Sequence, residues 1–196
     1  MTMVINAKKR CAWCGDDPIY QAYHDDEWGV ACHDDRRLFA MLCLEGMQAG
    51  LSWITILKKQ DAYYRAFDGF DAIKIAKYDE QKIDELMNNA GIIRHRLKIQ
   101  AIIGNAKAYL KVTQNQSFND YIWGIVACHQ AQTPLVNQPK NLADIPTQSN
   151  ASVMLSKQLK KDGFKFVGAT ICYAYMQACG MVNDHMSDCD FKYTKI

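Results

Sequence analysis

Proline is scarce in this chain of 196 residues: only four occur, and three of them fall between Thr133 and Thr147. Outside that one loop, helices can run without a breaker. No uninterrupted apolar run approaches the roughly 18 residues that a membrane span requires. Charge of one sign is missing as well: Lys plus Arg number 23 and Asp plus Glu 21, for a net of +2, so any attraction for a polyanion must be local. The eight cysteines are far below the roughly 8 to 10% at which a short secreted chain reads as a disulfide scaffold. A secretory signal is not expected either, since the brief apolar Val4-Ile5 precedes Lys8, Lys9 and Arg10, the reverse of the order export uses. A cytoplasmic location is the expectation, with no membrane partner. In a reducing compartment, grouped Cys and His point to metal before disulfides.

What is present is mostly helical spacing. Leu38, Met41, Leu42, Glu45 and Ala49 recur at three and four, as do Ile83, Leu86 and Met87. Asp17, Asp34, Ser52, Asp71, Asp79 and Asn150 stand where N-caps belong, and Gly91 and Gly163 where C-caps belong. The expectation is an all-α chain of eight or nine helices, without strands or internal repeats. It would form one domain over residues 1–196, in two helical lobes with the N- and C-terminal segments meeting in one of them.

Four residues near the two ends have metal-ligand character. His24 follows Cys11 by thirteen positions, and His185 and Cys189 stand at i and i+4, on one helix face or turn. Two Cys and two His make a closed tetrahedral set of the structural zinc type. Cys14, in Cys11-Ala-Trp-Cys14, could serve in place of Cys11 or beside it, and the same residues would equally serve as small buried hydrophobes. Cys43, Cys128, Cys172 and Cys179 read as inert core. Glu45 shares the apolar stripe of its helix, so it is either a functional carboxylate taken out of water or one that rotates to a solvated edge. Tyr20, Tyr23, His24 and Glu27 form a second stripe flanked by Trp13 and Trp28. Residues 83–110 read as helix, glycine turn and helix, the second helix opening on Arg94, His95, Arg96 and Lys98, where amides and cations suit a phosphate. The lysines 157, 160, 161 and 165 read as a solvated helix end.

The strings Tyr20-Gln-Ala-Tyr23-His24-Asp-Asp-Glu-Trp-Gly29, Leu44-Glu45-Gly-Met-Gln48-Ala-Gly50-Leu51-Ser-Trp53, Ala90-Gly91-Ile-Ile-Arg94-His-Arg96, and Gly163–Gly168 through Val182–His185 resemble the 3-methyladenine DNA glycosylase I family. The likeness runs from about Cys11 to Cys189. It implies an all-helical helix-hairpin-helix fold that excises N3-methylated adenine from double-stranded DNA and releases free 3-methyladenine. It also implies one structural zinc joining the termini through Cys11, His24, His185 and Cys189. By the same resemblance Glu45 is the essential carboxylate and Tyr20, Tyr23 and Trp53 touch the base, while Gln48, Gly50 and Leu51 enter the space an extruded nucleotide leaves. Gly91, Arg94, Arg96 and Lys98 are expected to face DNA. Met47 departs from the family pattern, where a second Gln is expected. Asp144, in the proline-bearing loop, is the local candidate for assisting water. No lysine is placed for a Schiff base, so a monofunctional, monomeric glycosylase is expected. The competing classes are a zinc-stapled DNA-binding scaffold without catalysis and a thiol hydrolase; nothing near Cys43 or Cys172 provides the electropositive setting a thiolate needs.

Overall fold

Side-chain acceptors start the helices. Asp17 accepts from the amides of Ile19 and Tyr20 and, with Pro18 in the first position, opens α1 (Pro18–Asp26). Asp34 does the same at Arg37 for α2 (Asp35–Gln48). Ser52 precedes α3 (Trp53–Leu57), although its hydroxyl bonds the Thr55 hydroxyl and not a backbone amide. Then follow α4 (Gln60–Ala66) and, capped by Asp71 and Asp79, α5 (Ala72–Ile75) and α6 (Glu80–Asn88). His95 and Ser117, neither of them an expected cap, start α7 (Arg96–Val112) and α8 (Phe118–Ala127). For α9 (Asn150–Lys161) the cap is Ser149, one residue before the expected Asn150, in a reciprocal box with Ser152. The series closes with α10 (Ala169–Ala178).

These elements belong to a computed structural model that describes residues 8–193; the Val4-Ile5 pair lies outside the described residues. Ten α-helices occur among the described residues where eight or nine were expected. The surplus is short: α3 and α5 span about one turn each, too little for a 3.6-residue period to register. Two strands occur where none was expected, β1 (Leu135–Val136) and β2 (Val182–Asn183), paired in parallel with Leu135 opposite Val182. At two residues apiece they leave no alternation to read. None of the helices is long and apolar enough to cross a membrane.

Helix α2 is the axis of the fold. It packs against α3, α7, α8 and α10, and every residue from Leu38 to Met47 is buried. The expected stripe is therefore a helix enclosed on all sides, and Glu45 has no solvated edge to rotate to. The apolar interior falls into a large cluster around α2 and a smaller one formed by Cys11, Tyr23, Trp28, Leu57, Met186 and Cys189, with Trp53 and Ile145 packed against both. The smaller cluster is where the two ends of the described chain meet.

Two glycines explain close approaches. Gly180, at φ +70°, lets the end of α10 dock on the 29–32 segment, where a Cβ would lie 2.2 Å from the Val30 carbonyl carbon. Gly91 is not the C-cap expected, because α6 already ends at Asn88 with Asn89 as its cap. It is required by space, since a Cβ there would sit 3.0 Å from the Ala62 Cβ. Gly163, at φ +101°, does follow α9 as a C-terminal glycine. Cys43, Cys172 and Cys179 are buried as expected, but Cys128 is exposed because it caps the end of α8.

Candidate active site

The helical repeat of α1 turns Tyr20 and Tyr23 toward one cavity, while His24, which follows Tyr23 on the same helix, is carried to a buried group of Cys and His side chains behind it. The cavity has a volume of about 320 Å³, at the small end of the range for ligand pockets. Its walls are Trp13, Tyr20, Tyr23, Trp28 and Trp53, with Glu45 and Gln48 from α2, Ala174 and Gln177 from α10, and Leu142, Ile145, Pro146 and Thr147 from the proline-bearing loop. The rings brace one another. Trp13 lies 4.9 Å from Tyr20 and 4.9 Å from Trp28, edge to face, and Tyr23 lies 5.5 Å from Trp53, centroid to centroid. Trp13 and Trp53 both hold buried indole N–H groups without a partner.

Glu45 is 3% exposed and has no hydrogen bond or ion pair within the described residues. Burial alone pushes its carboxyl up to about 8. At neutral pH the free site thus holds a protonated carboxyl among electron-rich ring faces. A cation placed there would favour release of the proton and pair the charge.

Behind the cavity, Cys11, His24, His185 and Cys189 are all buried, and one donor atom from each lies within 4.8 Å of the other three. The Cys189 sulfur is 3.6 Å from His24 Nε2 and 3.5 Å from His185 Nδ1, and the Cys11 sulfur is 3.7 Å from His185 Nδ1. A tetrahedral ion with bonds of about 2.3 Å to sulfur and about 2.05 Å to nitrogen separates the two donor types by about 3.6 Å, so the set could hold a metal ion. The remaining imidazole nitrogens are engaged as metal-bound histidines require: His24 Nδ1 with Asp25 at 2.7 Å and His185 Nε2 with the Trp28 carbonyl at 3.0 Å. Cys14 stands outside the group, its thiol donating to the Cys11 carbonyl at 3.2 Å. Burial raises the Cys11 thiol to about 12 and lowers His185 to about 4, so without a cation the Cys11 thiol keeps its proton and the His185 ring stays neutral. The cluster and the cavity are in ring contact: Trp13 lies 5.3 Å from the His24 ring, and Trp28 lies 4.7 Å from the His185 ring.

The turn 89–95 between α6 and α7 is held from below by α4 and the residue before it. Lys59 donates to the carbonyls of Ala90 and Gly91 at 3.0 and 3.3 Å, and the Tyr63 hydroxyl accepts from the Ile93 amide at 3.1 Å. No hydrogen bond within the described residues takes up the backbone N–H groups of Arg94, Arg96 and Leu97. Arg94 is exposed; Arg96 is exposed too, but forks between Glu80, at 2.7 Å, and Asp84. Lys98 corrects an expectation. It is buried, and its ammonium donates to the carbonyls of Met47 and Ala49 at 2.9 and 2.6 Å, closing the C-terminus of α2. The unpaired carbonyls of that helix end draw the side chain inward, away from any phosphate.

The α2 terminus that Lys98 holds leads into the lip of the cavity. There Gln48 donates to the Leu51 carbonyl at 3.0 Å, Gly50 adopts φ +79°, and Leu51 is 39% exposed. Asp144 corrects a second expectation: it accepts from the amides of Lys140 and Asn141 at 2.8 and 3.1 Å in a capping box, exposed and off the cavity wall. The loop it shapes contributes apolar residues instead. Trp13, Trp28, Ile145 and Gln177 were not proposed as site residues from sequence; the aromatic flanks of the Tyr20–Glu27 stripe were the one available signal, and for Gln177 there was none.

A family model described as methyladenine glycosylase matches residues 13–193. The chain is 57% identical over 182 residues to DNA-3-methyladenine glycosylase 1 of Escherichia coli (strain K12), covering 92% of this chain and 95% of that protein. It is 50% identical over 184 residues to a DNA-3-methyladenine glycosylase of Haemophilus influenzae, covering 93% and 97%. A crystal structure of 3-methyladenine DNA glycosylase I superposes with a TM-score of 0.89 at 55% identity, covering 93% of this chain and 98% of that one. A helical chain so matched, with an aromatic cavity around a buried carboxyl, is a glycosylase, a hydrolase of N-glycosyl bonds. More particularly, it belongs to the methyladenine glycosylase family.

The state of Glu45 has a measurable consequence for stability. Because the folded-state value of about 8 lies above that of an unfolded chain, about 4.3, the unfolded state sheds this proton first. Stability is then lost progressively as pH rises between those two values. Glu45→Gln removes the effect. Urea unfolding of the free protein should show the variant equal to the parent near pH 4 and more stable by a few kcal/mol at pH 8.

Proposed function

We propose that the protein removes N3-methylated adenine from double-stranded DNA by hydrolysing the glycosidic bond, without strand cleavage, as a base-excision repair enzyme. The observation that carries this is the unpartnered, buried Glu45 carboxyl in an aromatic cavity. N3-methylation gives adenine a positive charge, and no neutral base can satisfy such a site equally well. The faces of Tyr23 and Trp53 attract the cationic ring, and Glu45, on losing its proton to solvent, accepts hydrogen bonds from the base edge. As the bond to the sugar breaks the base leaves neutral, so little leaving-group protonation is needed. The site's work is selection and charge stabilisation.

A base in the duplex cannot reach this cavity, so the nucleotide is extruded, at a few kcal/mol that a damaged base reduces. Residues 83–110 act as a helix-hairpin-helix element: the amides of Arg94, Arg96 and Leu97 at the start of α7 take a phosphate, Arg94 adds charge, and Gly91 allows the turn its shape. The ion pairs of Arg96 are solvent-exposed and worth about 0–1 kcal/mol, so it exchanges them readily for phosphate. Gln48, Gly50 and Leu51 enter the vacated space. Lys98 serves by holding the α2 terminus that presents them. Its commitment to two carbonyls agrees with a reaction lacking a Schiff base.

Cys11, His24, His185 and Cys189 hold one zinc ion in this reading. With all four positions filled by protein the ion has no place for water or substrate, and its chemistry is structural. It joins the chain ends and, through His24 on α1, orders Tyr20 and Tyr23. Metal analysis should return one zinc per chain, and Cys189→Ser or prolonged chelation should lower the melting temperature and weaken binding of free 3-methyladenine together. A metal-free preparation with unchanged melting would contradict the assignment.

For the activity, methylated duplex DNA incubated with the protein should release 3-methyladenine while the strands stay intact and borohydride traps no covalent adduct. The free enzyme's kcat/KM should rise with pH up to about 8, as Glu45 ionises, and then level off. Glu45→Gln should lower it by about 10²–10³ and abolish that limb. Absence of base release from the parent protein would refute the proposal.

A further inference from the structure

Behind the cavity wall lies a buried carboxylate that the reaction above does not use. Asp184 is 1% exposed. It accepts three hydrogen bonds: from Asn137 Nδ2 at 2.7 Å, from the Tyr173 hydroxyl at 2.8 Å and from Gln177 Nε2 at 2.7 Å. These partners come from the segment after β1 and from α10, so the carboxylate is fixed by the fold.

The consequence falls on Gln177, which lines the cavity. The two ends of an amide side chain differ, one only donating and one only accepting, and a carboxylate only accepts. Asp184 therefore obliges Gln177 to turn its NH2 inward. The carbonyl Oε1 is left over, and no donor within the described residues bonds it. We propose that Gln177, oriented by Asp184, is a specificity-determining acceptor in the cavity, selecting bases that carry an amino group over bases that carry a carbonyl at the same edge. Adenine presents N6–H2 at its six-position, and guanine presents O6. An alkylated adenine gives Gln177 a hydrogen bond; an alkylated guanine sets two acceptors against each other with no proton between them, leaving both unsatisfied. The inference rests on the cavity being the base pocket, and it adds which alkylated purine that pocket prefers.

The test is an internal ratio. DNA treated with a methylating agent carries both 3-methyladenine and 3-methylguanine, and one enzyme sample releasing both reports their relative excision whatever fraction of it is folded. Gln177→Met removes the acceptor while keeping the length of the side chain, and should lower the adenine-to-guanine excision ratio about tenfold. Asp184→Asn presents an NH2 to Gln177, allowing its amide to reverse and offer a donor to the cavity. That variant should also lower the ratio, by favouring the carbonyl-bearing base. An unchanged ratio in either variant, with the parent enzyme releasing base normally, overturns the inference. A parent enzyme that releases neither base would instead refute the reading of the cavity.

Discussion

A carboxyl group enclosed in protein without a partner holds its proton, because ionising it there costs several kcal/mol that no neighbour returns. Glu45 is in that position because of where it sits on α2, a helix surrounded on every side. Its surroundings follow from this. The ring faces of Tyr23 and Trp53 tolerate a neutral carboxyl and attract a cation, and none of the amides and hydroxyls that line the cavity among the described residues hydrogen-bonds the carboxyl in the free protein. The site is poised for a positively charged guest, with most of the cost of that poise already met by packing around α2.

The aromatic wall needs support of its own, and it comes from the ends of the chain. Helix α1 carries two cavity tyrosines and one member of the Cys/His group, so whatever fixes His24 also fixes Tyr20 and Tyr23. The group's other histidine sits on the 180s segment next to Asp184, and Gly180 lets that segment lie against residues 29–32. Cavity, Cys/His group and terminal segments are in this sense one construction. The turn 89–95 is a second one, joined to the first by Lys98, which reaches from α7 to the carbonyls at the end of α2.

Much of this was legible in residue spacing. The interval from Leu38 to Ala49 placed Glu45 on an apolar face, and the pair His185 and Cys189 announced a shared ligand face; the likeness of four strings to a known family then assigned roles. Other features depend on contacts between distant segments, which no local period encodes. Nothing around Cys14 distinguishes it from Cys11 until His185 and Cys189 arrive from the far end of the chain. Lys98 reads as one more cation in a basic turn, and only the nearby end of α2 explains why it points inward. Asp144 has the right residue type in the right loop, yet its oxygens are spent on capping that loop. The role argued for Gln177 depends on Asp184, and neither residue has a neighbour in sequence that signals the other.

The most direct measurement is the carboxyl carbon resonance of Glu45, followed by NMR from pH 4 to pH 10 in protein labelled at glutamate and assigned with Glu45→Gln. A midpoint near 8 is expected in the free protein, displaced well downward when a cationic alkylated base occupies the cavity. A midpoint near the ordinary glutamate value of about 4.3 in the free protein would contradict it.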